Sequence, residues 1–446
     1  MARLNRRDFL RAAGAGTLLT AYPWLHTVAA PGPFSDYRAL VCVFLFGGND
    51  SWNMVVPRSQ AEYDVYAASR QNLAIDRDAL LPINPLSSDG VDYGLHPAMS
   101  GLQSLFESGR AAFVTNVGPL IEPTTRDQYQ AGSVQLPPQL FSHNDQQDQW
   151  LSLKGRAQTK TGWAGRIADL VRTEVAGQQL PTNASLFGAS LFQAGDDTVA
   201  YVMGPAGPIS FEGFGDSGFG LAQREAFERI IGAEYESIYE RAFAAVQQRA
   251  VSTADLVTSA IEGAPALSTA FPASQLGQQL ETVARLIAVR ERLGMERQIF
   301  FVASGGFDTH DDQNELQPEL LGGVSDAMRA FYDATVELQV AENVTTFTQS
   351  DFGRTLTSNG DGTDHAWGGI QIVSGNAVAG GELYGSYPLL AIDGPEDVGG
   401  GRFIPSTSSD QFAATLAHWF GIPDADLGSV APHIDNFVQR NLGFML

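Results

Sequence analysis

Tyr37 to Phe46 reads YRALVCVFLF, a near-continuous apolar run with no polar alternation. Such a run suits a strand buried on both faces, as in the middle of a parallel sheet. It stops in Gly47-Gly48-Asn49-Asp50, which places polar side chains just past a strand end. Asn-Asp is also ordinary turn chemistry, and both readings stand at this point. The pattern recurs. Ala111 to Val117 is a second buried run. Arg297 to Ser304 runs into Gly305-Gly306-Phe307-Asp308-Thr309-His310, and Val344 to Thr348 stops just short of Asp351. Ile370 to Ser374 is a further short strand. Between them, His96 to Glu107, Leu316 to Gln339 and Ser408 to Phe420 carry helical spacing. Strands alternating with helices predict an α/β fold, a mostly parallel sheet flanked by helices.

Residues 155 to about 296 break this rhythm. Leu191 to Ile209 alternates loosely between glycine and proline turns and predicts a hairpin region. Phe211 to Gly220 is rich in Gly and Phe. Leu221 to Ala250 and Leu276 to Leu293 have the spacing of long amphipathic helices. With 446 residues available, the expectation is a largely helical insertion or cap over 155–296 on a domain spanning 31–446.

Charge limits what the chain binds. The formal net charge is −23, which repels nucleic acid and anionic membrane surfaces. An anionic substrate would need local positive charge, and a metal ion is the obvious source. No glycine-rich stretch has the spacing of a dinucleotide fingerprint. At the N-terminus, Arg6-Arg7 precedes Phe9-Leu10, a modest apolar run and Val28-Ala29-Ala30. That order reads as a twin-arginine signal peptide over residues 1–30, cleaved after Ala30, with the twin-arginine translocase as the partner during export. The single cysteine, Cys42, excludes an internal disulfide framework. No later apolar run reaches the ~20 residues of a membrane span. The expectation is a periplasmic or secreted protein with no stable membrane span and no nucleic-acid partner.

Four separated segments place chemistry-bearing residues at strand ends or loops: Asp50, Ser142-His143, Asp308 with His310, and Asp351 with Asp364-His365. In a parallel sheet such points converge on one edge. Carboxylates mixed with imidazoles suit a divalent transition metal, namely zinc, manganese or iron. Ser142 follows a Pro137-Pro138 break and is placed to cap a helix running to about Leu153. The same helix start offers free N–H groups and a positive dipole end, where a hydroxyl could attack a phosphoryl or sulfuryl centre. Both readings of Ser142 remain open.

The pieces GGND at 47–50, FSHNDQ at 141–146, FDTH at 307–310, SDFGRT at 350–355, DHAWGG at 364–369 and STSSDQFAATLAHWFG at 406–421 span the chain in order. Together they resemble the domain-of-unknown-function 1501 family, a twin-arginine-exported group of the alkaline phosphatase and sulfatase superfamily. The resemblance implies an alkaline phosphatase-like sheet. It implies a metal-dependent hydrolase of phosphate or sulfate esters, acting on a small anionic ester with one or two metal ions. On that resemblance Ser142 is the nucleophile, Asp308, His310 and His365 hold one metal, and Asp50 and Asp351 contribute to a second. Phe352 stands where the superfamily carries a histidine after Asp351, and His143 is the candidate to compensate. Arg354 is either an anion clamp or a structural ion-pair partner. The competing class is a non-catalytic exported binding or assembly module that keeps the fold.

Overall fold

The structure is a computed structural model that describes residues 34–157, 159–208, 213–215 and 217–446. The twin-arginine segment and its cleavage position lie outside the described residues. The first apolar run forms β1 (Arg38–Leu45), and every residue from Ala39 to Leu45 is buried. The later strands are β2 (Val55–Pro57), β3 (Leu81–Ile83), β4 (Tyr93–Leu95), β5 (Ala111–Gly118), β6 (Asn183–Ser185), β7 (Tyr201–Val202), β8 (Arg297–Ser304), β9 (Val344–Ser350), β10 (Gly369–Ser374), β11 (Leu383–Tyr384) and β12 (Thr407–Ser408).

The main sheet runs in the order β11-β5-β10-β9-β1-β8-β6-β7, with β12 beside β5. β1 pairs in parallel with both β8 and β9. Among the described strands of this sheet, β10 alone runs against its neighbours β5 and β9. β2, β4 and β3 make a small separate antiparallel sheet. The register positions the site. Leu45 lies level with Ser304 on one side and Ser350 on the other. The segments that follow all three strands therefore leave the sheet at one edge, as expected for a parallel α/β layout.

The helices are α1 (Gln60–Arg70), α2 (Ser100–Glu107), α3 (Arg126–Ala131), α4 (His143–Ser152), α5 (Trp163–Val171), α6 (Gly218–Ile231), α7 (Ile238–Glu262), α8 (Gln275–Ala288), α9 (Gln313–Glu337), α10 (Ser409–Phe420) and α11 (Leu427–Val430). They cover both sheet faces, as the unalternating strands require. Successive strand side chains point to opposite faces. Ala39, Val41, Val43 and Leu45 accordingly cluster with Leu102 of α2, Leu280 and Val283 of α8, and Leu321 and Phe331 of α9. On the other face, Phe44 meets Phe301 at 6.0 Å, while Phe347 lies between Trp163 of α5 and Phe412 of α10 at 5.7 and 5.9 Å. Burying each such ring is worth about 1.5–3 kcal/mol.

The expected insertion over 155–296 is narrower than the sequence implied. Within it, β6 pairs in parallel with β8, β7 pairs in parallel with β6, and α8 packs against β8. Those pieces belong to the sheet layers. The region expected as a hairpin instead contributes the edge strand β7, whose partner is parallel. Strands of two or three residues carry no periodicity to read. The helical remainder is α6 and α7, which pack on each other. Phe219, Ile238, Tyr239, Phe243 and Val246 lie exposed on this pair. No helix among the described residues is long and apolar enough to cross a membrane.

One half-buried histidine gives the fold a titratable contact. His433 donates from Nδ1 to the carbonyl of Leu153, the residue that closes α4, at 3.2 Å, and lies 3.7 Å from the buried Asp410 carboxylate. The Asp410 carboxylate beside it raises the imidazole pKa above its ordinary 6.5, against the opposing effect of burial. A raised folded-state pKa means stabilisation that is complete below the unfolded value and is lost as pH climbs through the folded one. The wild-type melting midpoint should therefore fall from about pH 6 to about pH 8 relative to His433→Gln. Parallel curves for the two proteins across that range would rule this linkage out.

Candidate metal centre

The edge defined by Leu45, Ser304 and Ser350 carries the polar segments that the sequence singled out. Gly47 and Gly48, with φ of +117° and +90°, turn the chain away from β1. A Cβ on Gly47 would stand 2.3 Å from the backbone nitrogen of Asp308, and one on Gly48 2.3 Å from the Phe352 ring. Only glycine lets these three strand-end segments approach so closely.

Asp308 stands at the middle of the cluster. Its Oδ1 is 3.1 Å from His310 Nε2 and 3.3 Å from His365 Nε2, and its Oδ2 is 3.4 Å from His143 Nε2. The Nε2 atoms of His310 and His365 are 2.9 Å apart. His143 is the first residue of α4, His365 lies on the loop between β9 and β10, and Asp308 and His310 lie just past β8. That loop is a distorted hairpin held by Thr355 N–H to Asp364, Ala366 N–H to Gly353 and Gly353 N–H to Trp367.

Each of two imidazoles is fixed from behind. His365 Nδ1 lies 2.8 Å from the Phe141 carbonyl, which can only accept, so Nδ1 carries the hydrogen. His143 Nδ1 lies 2.7 Å from Oδ2 of the fully buried Asp351, which also accepts from Gln147 at 2.7 Å. In a neutral ring the other nitrogen, Nε2, is then a bare acceptor. Burial holds His365 below the ordinary histidine value. The Phe141 carbonyl works against this shift, while the His143 and Arg354 charges add to it. Burial acts to raise Asp308, yet the hydrogen bond and charge of Arg354, with His310 and His143, bring its carboxyl below the usual range.

With both rings neutral, the Nε2 atoms of His143 and His365 face the Asp308 carboxylate, so that a cation among them would meet three donor atoms at once. Donor atoms of His143, Asp308 and His365 all lie within 4.8 Å of one another. Ligands about 2.1 Å from a tetrahedral ion sit roughly 3.4 Å apart, close to the spacings here. Histidine rings held by an outer carboxylate or carbonyl are the usual support for such ligands. The residues fit a divalent transition metal.

Other expected residues are placed differently. Asp50, expected as a ligand of a second metal, forms a buried ion pair with Arg70, accepts from Gln313 through the same oxygen, and accepts from the Trp52 N–H at 3.1 Å. Its carboxylate is committed to protein donors. Asp351, the other expected ligand of that second ion, orients His143 instead. Its Oδ1 is buried with no hydrogen-bond partner among the described residues. Arg354 takes the ion-pair alternative and not the anion clamp. Fully buried, it donates to Thr363 Oγ1 at 2.9 Å, the Gly47 carbonyl at 2.9 Å, Asp308 Oδ1 at 2.8 Å and the Thr363 carbonyl. Ser142 does occupy the N-cap of α4, but its hydroxyl donates to Asp145 Oδ2 at 2.7 Å and accepts no capping N–H. Phe352, read as a lost ligand, walls the centre, with ring centroids 4.8 Å from His143 and 4.5 Å from His365. Asp364 flanks His310 Nδ1 at 3.4 Å.

Fold and site define an α/β protein with an Asp/His cluster at the carboxyl edge of a mostly parallel sheet. The description "Protein of unknown function (DUF1501)" matches residues 37–430, and the chain belongs to that family. No curated protein matches it. Among solved structures it is similar to PsFucS1 sulfatase from Pseudoalteromonas sp., at 10% identity over 87% of this chain and 68% of that one, with a TM-score of 0.34. A putative sulfatase from Bacteroides thetaiotaomicron VPI-5482 aligns at 9% identity over 89% and 75%, with a TM-score of 0.30. A TAB5 alkaline phosphatase mutant with bound Mg aligns at 8% identity over 90% and 99%, with a TM-score of 0.26. At scores this low the likeness carries no chemical argument.

Proposed function

We propose that this protein is an exported, metal-dependent hydrolase of phosphate or sulfate esters, built around one metal centre. The observation that supports it is the meeting of His143, Asp308, His310 and His365, with two imidazoles held through Nδ1 so that their Nε2 atoms face the Asp308 carboxylate. A zinc, manganese or iron ion held by these four side chains would supply Lewis acidity and ease deprotonation of an oxygen nucleophile.

The chain's own groups account for the rest. Ser142 adjoins His143, and its hydroxyl proton already points at Asp145. The hydroxyl passes its proton to Asp145 as its oxygen attacks the phosphorus or sulfur; the bond from that atom to the leaving oxygen breaks, the alkoxide takes up a proton to leave as the alcohol, and water then cleaves the esterified serine, releasing inorganic phosphate or sulfate and restoring the hydroxyl. First-turn N–H groups of α4 favour the anionic oxygens. The twin-arginine reading of the N-terminus supports export and a periplasmic or secreted location.

The test is elemental analysis of the folded protein, followed by a screen of phosphate and sulfate esters. Ser142→Ala should keep the metal and lower kcat/KM on the order of 10³-fold. A second reading, metal binding without turnover, is favoured by the engagement of the Ser142 hydroxyl with Asp145 and of Arg354 with Asp308. Stoichiometric metal with no ester cleaved would establish that reading over the first.

A further inference from the structure

An anionic ester needs a cation to hold its oxygens, and Arg354 is spent on Asp308. The sequence offers a second arginine that its motifs did not single out. Arg402 follows three glycines at 399–401, all with positive φ. The loop they form is fixed by the buried Asp397 carboxylate, whose Oδ1 accepts from the N–H groups of Gly399, Gly401 and Arg402 at 2.7–3.1 Å. A Cβ on Gly401 would stand 2.5 Å from Leu356 Cβ, and one on Gly400 3.1 Å from Arg402 Nη1.

The guanidinium is held as firmly as the backbone. Nε donates to the carbonyl of His365 at 3.0 Å, and Nη1 to the carbonyl of Gly399 at 3.0 Å. The group stacks over the Phe141 ring at 5.4 Å. Phe141 is the residue whose carbonyl fixes His365 and whose chain neighbour is Ser142. Arg402 thus touches both the loop that supplies His365 and the segment that supplies Ser142 and His143.

Its charge is unanswered. Acidic residues number 50 against 27 basic ones, yet no carboxylate among the described residues pairs with Arg402. A guanidinium has five N–H donors. The two carbonyls take one each, and no acceptor among the described residues meets Nη2. A half-buried, immobilised cation without a counter-ion beside an Asp/His centre is arranged to receive an anion, and a guanidinium can present paired N–H groups to two oxygens of a tetrahedral one.

We propose that Arg402 is the anion-binding residue of this site and that it selects substrates carrying a tetrahedral oxyanion. The inference rests on the hydrolase reading above and names the residue that would give it its substrate class. Phosphate and sulfate share the required geometry and differ in charge, so they form separate arms of the test.

The experiment is calorimetric titration of the metal-loaded protein with inorganic phosphate and, separately, with inorganic sulfate. Wild type, Arg402→Ala, Arg402→Gln and Arg402→Lys are compared, with metal content and melting midpoint measured on each. Arg402→Ala and Arg402→Gln should bind the preferred anion at least about tenfold more weakly while keeping the metal. Arg402→Lys should recover part of the loss, since it keeps the charge and loses the fork. Tighter binding of phosphate than sulfate by wild type assigns phosphate esters, and the reverse assigns sulfate esters. Binding of both anions by Arg402→Ala and Arg402→Gln within twofold of wild type overturns the inference, as does a metal-loaded wild type that binds neither. Wild-type protein that takes up no metal would instead remove the hydrolase reading on which the inference rests.

Discussion

On the proposed reading, His365→Ala should empty the Asp/His cluster of transition metal. Its Nε2 is one of the donor atoms that lie within 4.8 Å of each other, and its Nδ1 is tied to Phe141. Loss of an outer orienting group costs metal affinity roughly 10–100-fold. Loss of a ligand should cost more, on the order of 10³-fold, which empties the centre at micromolar metal. Asp351→Asn is the graded companion. It leaves a hydrogen-bond partner for His143 but removes the charge behind it, and should fall in the 10–100-fold range. Stability gives a second readout. A ligand that binds only the folded state raises the melting midpoint in proportion to its occupancy. A chelator should therefore lower the midpoint of wild type and leave His365→Ala unmoved. The metal-free variant should be at least as stable as metal-free wild type, because one of the facing acceptors is gone. Undiminished metal in His365→Ala would show that these side chains do not form the centre.

The strand runs were readable because burial on both faces leaves a composition signal in a single segment. β1, β8 and β9 each end within a residue or two of where the apolar run stops, and the polar residues past them reach one edge by register alone. The same logic singles out Asp308, His310 and His365 in the sequence. It does not say what Asp50 and Arg354 pair with, because a side chain's partner is not encoded next to it. Asp50 answers to Arg70 at the end of α1 and to Gln313 at the start of α9. Neither residue carries a pattern that announces the pairing. Arg402 was missed for the opposite reason. Its significance lies in the counter-ion it lacks, which only the folded chain reveals. β6 and β7 were absorbed into a supposed insertion because two or three residues cannot display a period.

Asp50→Ala separates a structural carboxylate from a ligand. Arg70 and Asp50 are both fully buried, and among the described residues Arg70 otherwise donates to the carbonyls of Thr355 and Leu356 at 3.0 and 3.3 Å. Removing the carboxylate leaves a guanidinium in the interior without its counter-charge. It also strips Gln313 Nε2 of its charged acceptor. Breaking one side of a buried pair costs about 3–5 kcal/mol, a large share of the roughly 5–15 kcal/mol that holds a domain folded. Chemical unfolding should show that loss as a lower midpoint at unchanged slope. Asp50→Asn, which keeps an acceptor for both donors, should lose less. Metal content should stay at the wild-type level in the folded fraction of either variant, because the donor atoms around Asp308 do not include Asp50. The two roles thus give opposite signatures. Lost stability with retained metal fits the ion pair, whereas retained stability with lost metal would return Asp50 to the centre and make the site binuclear.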